Sequence, residues 1–106
     1  MNSIGWIYLF IAGFLEIGFT TSMKLMDGHK NIPWSIAFYV TVILSFGFLQ
    51  EATKSLPLGT AYAVWTGIGA AGTFIIGVLF FNDPSILLRW IGVSLIILGV
   101  IFLKVA

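Results

Sequence analysis

The chain has 106 residues, 59% of them hydrophobic and 8% charged, and its five basic and four acidic side chains give a formal net charge of +1. That is too little charge to cover a globular surface in water, where about a quarter of residues are usually charged. A mean hydropathy of +1.09 points the same way, to an all-α integral membrane protein. With no cysteine and no basic run, the sequence excludes a disulfide framework, a thiolate metal centre and a nucleic-acid partner.

Four apolar segments predict transmembrane helices over about 4–26, 33–52, 59–81 and 86–104, making one domain over 1–106. About 20 residues of helix cross the ~30 Å hydrocarbon layer, whereas barrel strands would be ~10 residues of alternating polarity. The first segment is not read as a secretory signal. It lacks a basic leading region, is too long and has no small-x-small cleavage site after it, so it is expected to stay in the mature chain. Trp6, Tyr8, Trp34 and Trp90 fall near segment ends, where amphipathic rings favour the headgroup region.

Glu16 lies near the middle of the first segment, with Lys24 its nearest basic residue. A carboxylate at that depth costs at least ~2.5 kcal/mol even on the mildest insertion scales. Without a cationic partner, it can hold either a proton or a cation. The other reading is a protonated acid that only hydrogen-bonds a neighbouring helix. Leu9, Ala12, Gly13, Phe19, Thr20 and Met23 share its face by three-and-four spacing. Ala12 and Gly13 are expected to leave room beside the carboxylate, and Thr20 to offer a hydroxyl.

A polar turn from Asp27 to Asn31 follows, and Pro33 suits the first turn of the second helix. Ser45 is the deepest polar residue of that helix. It either lines a cavity and bonds Glu16 or a substrate N–H, or it bonds the carbonyl one turn before it. Glu51, Lys54, Pro57 and Gly59 break the helix.

The third segment opens as Gly59-Thr-Ala-Tyr-Ala-Val-Trp-Thr-Gly-Ile-Gly69. Tyr62, Trp65, Thr66, Gly69 and Thr73 follow helical spacing and predict one aromatic, hydroxyl-bearing face. Aromatic rings beside a carboxylate suit an organic cation, by cation–π attraction of ~0.5–2 kcal/mol, and the Tyr62 hydroxyl could orient Glu16. Plain packing is the alternative. Gly67 and Gly69 read either as a hinge or as close packing.

Asn82-Asp83-Pro84 marks the last turn. In the fourth segment Gly92 and Gly99 stand seven apart, which keeps both on one face of a helix–helix contact and predicts dimerisation. No metal cluster, nucleophile–base pair or phosphate loop appears, so neither an enzyme, a cofactor nor a metal is expected.

Both termini and the second loop share one side of the membrane, with Lys54 and Lys104, while Lys24, Lys30 and Arg89 lie on the other. Two basic residues against three set almost no orientation by the positive-inside rule. Either partners fix one orientation, or copies insert both ways and pair antiparallel about an axis in the membrane plane. Four short helices cannot enclose a pathway alone, so a dimer is the smallest expected unit.

The stretch Ala52-Thr-Lys-Ser-Leu-Pro-Leu-Gly-Thr-Ala-Tyr-Ala-Val-Trp-Thr-Gly-Ile-Gly69, the Leu15-Glu16 site, Met23-Lys24 and the Gly92/Gly99 pair resemble the small multidrug resistance family over the whole chain. The resemblance implies an antiparallel, dual-topology dimer of four-helix chains in the inner (plasma) membrane of a prokaryote. It implies that the dimer exports cations in exchange for protons by alternating access, with Glu16 the essential acid, Tyr62 and Trp65 the aromatic site residues and Ser45 the serine near the acid. The third-helix motif is similar to the guanidinium-exporter branch, where Trp usually stands at the position of Phe19. Thr20-Thr21 is similar to the quaternary-ammonium branch. The expected partners are an organic cation, protons, the lipid bilayer, and a second copy or a paired chain of the same family. An uncoupled small-cation channel or uniporter and a structural membrane protein stand as alternatives.

Overall fold

A computed structural model describes residues 2–106. Four helices make up the fold: α1 (Asn2–Leu25), α2 (Ile32–Ala52), α3 (Leu58–Phe80) and α4 (Leu87–Val105). All four are long and apolar enough to cross a membrane, and no strand occurs among the described residues. Their ends fall within two residues of the expected ones.

Each turn has a local cause. After α1, Asp27, Gly28 and His29 take φ of 51°, 61° and 76°, and a run of left-handed residues cannot continue a right-handed helix. Asn31 then accepts the Trp34 N–H at 3.3 Å with its side chain and caps α2, with Pro33 in the first turn. Between α2 and α3 the Ser55 and Leu56 N–H groups return to Ala52 O, and Leu56 is buried. After α3, Asn82 takes a φ of 57°, and the Asp83 N–H bonds back to Gly77 O at 3.1 Å.

α1 is the central element, packed along both α2 and α3, while α4 packs on α3. The core is Leu9, Ala12, Ala52, Leu56, Ala61, Val64 and Trp65, weighted toward the end that holds the second loop. On α4 only Val93 is buried. The Lys104 ammonium sits 5.2 Å over the Trp6 ring, which brings the start of α1 and the end of α4 to one side of the molecule. The Cα envelope is flat, 43 × 34 × 16 Å. Such a slab leaves large apolar faces open, which costs nothing in lipid, where tails are as apolar as leucine.

Candidate functional site

Glu16 is half-buried on the face of α1 turned to α3. Its carboxylate rests against Gly69: a Cβ added there would overlap Glu16 Oε1 and Cδ. Oε1 is buried and has no hydrogen-bond partner among the described residues. A carboxylate in this state keeps its lone pairs free for a proton or for an N–H donor, and leaving a buried acceptor unmatched is costly unless something else binds it.

The other candidates fall into three groups. Ser45, which is fully buried, donates its hydroxyl to Ala12 O on α1 at 2.7 Å and accepts the indole N–H of Trp65 at 3.0 Å. It therefore bonds neither Glu16 nor its own preceding carbonyl, the two expectations from sequence. It ties three helices together at the carbonyl one turn before Glu16, because α2 packs close enough for its hydroxyl to reach α1. Trp65 in turn stacks obliquely with Tyr62 and Phe46, at centroid distances of 5.7 and 5.0 Å.

The expected single stripe on α3 is divided. Trp65 and Gly69 point inward, while Tyr62 and Thr66 are exposed. The Tyr62 hydroxyl makes no hydrogen bond to Glu16 among the described residues, because its side chain, 57% exposed, lies on the open face. A helix face of five positions is wider than the seam that one neighbouring helix can cover, so its edges part. Tyr62 is thus placed at the rim of the slab, next to Trp65.

Gly13 does not leave space beside the carboxylate. Its side is filled by Ile68 of α3, so this glycine serves close approach of α1 and α3. Thr20 donates to Ile17 O at 3.0 Å and meets the Thr73 hydroxyl at 2.6 Å. Phe19 packs edge-on against Phe38, with centroids 6.2 Å apart. Gly67 faces Val100 and Ile96 of α4, within an α3 that runs unbroken. Added side chains at Gly92 and Gly99 would meet nothing within 4 Å.

Three residues have neighbours that the sequence did not reveal. Gly69 seats the acid, Thr73 pairs with Thr20, and Gly77 seats the carboxylate of Asp83 in the third loop. The four-residue spacing of 69, 73 and 77 was the available signal. Its meaning depended on knowing that α1 and the third loop lie against that stripe.

The model of the small multidrug resistance protein family matches residues 4–96. The chain is 43% identical over 103 residues to the guanidinium exporter of Proteus vulgaris, covering 97% of this chain and 99% of that protein. It is 44% identical, with the same coverage, to the guanidinium exporter of Yersinia pseudotuberculosis. Against that of Escherichia coli K12 the identity is 41%, over 97% of this chain and 98% of that protein. Four membrane-length helices, an acid seated deep in the first of them and similarity running nearly end to end agree: the chain belongs to the small multidrug resistance family.

Proposed function

We propose that two copies of this chain, one inverted relative to the other, export guanidinium-type cations across the inner membrane in exchange for protons. The observation that carries the reading is Glu16 Oε1, buried near the middle of a membrane-length helix with no hydrogen-bond partner among the described residues. Proton and cation compete for that carboxylate. By linkage, each weakens the binding of the other by the same factor.

The substrate class rests on two supports. Relatives at 41–44% identity are named guanidinium exporters. In addition, the hydroxyl and indole donors around the acid are committed elsewhere: Ser45 to Ala12 O, Trp65 to Ser45 and Thr20 to Ile17 O. Glu16 is therefore left to accept from a guest rich in N–H groups, which a quaternary ammonium lacks. In this reading Tyr62 and Trp65 flank the cation, and Ser45 holds Trp65 in place. Phe19, lacking an indole N–H, adds bulk without a hydrogen bond. Gly13 and Thr20 set the α1–α3 seam around the acid, Gly67 and Gly69 let α3 change its packing, and Gly92 and Gly99 meet the second copy.

The test is transport by purified protein in liposomes. Wild type is expected to accumulate guanidinium when a pH gradient is imposed and to acidify or alkalinise the lumen when a guanidinium gradient is imposed. Glu16→Gln should abolish both. Uptake that ignores the pH gradient identifies a uniporter instead, and robust proton-driven uptake by Glu16→Gln would falsify the role given to the acid.

A further inference from the structure

Exchange requires a route by which protons reach Glu16. On α3, Gly69, Thr73 and Gly77 recur every four residues and form one stripe. A side chain at Gly69 would overlap the Glu16 carboxylate, and one at Gly77 would overlap the Asp83 carboxylate. The stripe thus seats two acids, about 12 Å apart along the helix axis at 1.5 Å per residue. Between them lies the 2.6 Å contact of the Thr20 and Thr73 hydroxyls.

A cavity of about 260 Å³ opens from the third loop onto this pair, with Thr20, Thr73, Lys24, Gly77 and Asp83 among its walls. Glu16 is not one of them, so the threonine pair is the floor that separates the cavity from the acid. At roughly 30 Å³ per water, the space holds several; Met23, Ile76 and Phe81 make much of its wall apolar, and Thr20, Thr21, Thr73, Lys24 and Asp83 supply the polar partners that water needs. Lys24 and Asp83 share these walls without pairing: the salt bridge found among the described residues is Glu51–Lys54.

Resting on the antiport reading, we infer that the α1–α3 seam of each protomer is a proton path: Asp83 and cavity water collect protons at the third loop, and the Thr20–Thr73 pair passes them to Glu16. In the structure the relay is closed. The single Thr20 hydroxyl proton points to Ile17 O at 3.0 Å, so Thr73 donates in the contact between the two. Turning the Thr20 hydroxyl about its Cβ–Oγ bond opens the relay. Thr20 then releases its proton toward the Glu16 carboxylate while accepting that of Thr73, and Thr73 accepts one from cavity water. Residues four apart on a helix have Cβ atoms ~5–6 Å from each other, a gap that one water spans. One proton enters, the carboxylate becomes a carboxyl, and neither hydroxyl keeps a charge.

Of the other charged groups on the helices, Arg89 is exposed in the first turn of α4, next to the third loop. α3 carries none, and the one on α2 is Glu51 at its far end. The Lys104 ammonium of α4 meets α1 at Trp6, also at the far end. Lys24 on the cavity wall opposes the lodging of a cation, so the seam keeps protons apart from substrate, which approaches from the open face of the slab.

The test uses liposomes holding the wild type, Thr73→Val, Thr73→Ser and Asp83→Asn. Two rates are read: guanidinium-driven proton flux, and exchange of labelled for unlabelled guanidinium at equal pH, which moves no net protons. Thr73→Val, which keeps the shape and removes the hydroxyl, should lower proton flux at least about tenfold and leave exchange unchanged. Asp83→Asn should lower proton flux less, and Thr73→Ser should restore it. Unaltered proton flux in Thr73→Val overturns the seam as a path. So does a joint fall of both rates that Thr73→Ser fails to repair, which marks a packing role only. Absence of proton flux in the wild type, with exchange intact, sinks the antiport reading and the path with it.

Discussion

Glu16 and Gly69 work as a pair, because the acid occupies the volume a side chain at 69 would need. Gly69→Ala should raise intrinsic helix propensity by up to about 1 kcal/mol yet expel the carboxylate from its seat. The expected result is a guanidinium affinity lower by about tenfold or more, equivalent to ~1.4 kcal/mol, measured by titration calorimetry in detergent. Gly59→Ala, whose new methyl would meet nothing within 4 Å, should bind as wild type does. Ser45 poses a different residue-scale question, since it is both donor to Ala12 O and acceptor from Trp65. Removing it with Ser45→Ala strands a buried indole N–H. Interhelical hydrogen bonds in membranes average ~0.6 kcal/mol and reach ~1.7, so a loss of about 1 kcal/mol in unfolding free energy is expected. Coupling in a double-mutant cycle with Trp65→Phe would assign that loss to the bond itself, and additive effects would refute it. The sequence marked Ser45 and Trp65 as site residues but not their bond to each other. Three-and-four spacing gives the side a residue occupies on its own helix, not which atom of another helix it meets.

The helices themselves were legible because hydropathy, turn residues and caps agree along the chain. Asp27-Gly28-His29 and Asn82 supply the left-handed turns, and Asn31 supplies the cap. What the sequence left open was the breadth of each contact. The stripe from Tyr62 to Thr73 reads as one face, but α3 turns Trp65 and Gly69 inward and leaves Tyr62 and Thr66 outside. α4 is the element least accounted for by a single chain. Val93 is its one buried residue, and Gly92 and Gly99 have open space where a Cβ would go. Two glycines that no neighbour in the protomer requires make sense if a second copy packs there. Gly92→Leu together with Gly99→Leu should therefore leave the protomer folded, with unchanged helical circular dichroism, and shift it from dimer to monomer in light scattering. A retained dimer would remove these glycines from the interface. Gly67→Ala, which presses on Val100 within the same chain, should disturb α3–α4 packing instead.

At the scale of the whole molecule, the flat shape and the charge distribution bear on one question. A slab 16 Å through leaves Tyr62 exposed and Glu16 half-buried rather than surrounding them, so in the proposed transporter a second copy closes the pathway. Which way up that copy lies is weakly specified. Lys54 and Lys104 stand on one side, and Lys24, Lys30 and Arg89 on the other, a difference too small to fix orientation by the positive-inside rule. The Glu51–Lys54 ion pair, 3.0 Å apart, changes little, since acidic residues contribute weakly to that rule. If function needs one copy each way up, biasing the charge should destroy it, and mixing opposite biases should restore it. Val105→Lys with Ala106→Lys adds charge on the side of the termini at two exposed positions, and Lys30→Ala removes it from the other side. Lys54→Ala with Lys104→Ala biases the chain the opposite way. Each set alone is expected to lose guanidinium resistance in cells while still inserting, and co-expression of the two is expected to recover it. Full activity of either set alone, with its orientation verified by labelling the termini from outside, would establish a parallel unit and exclude the inverted pair.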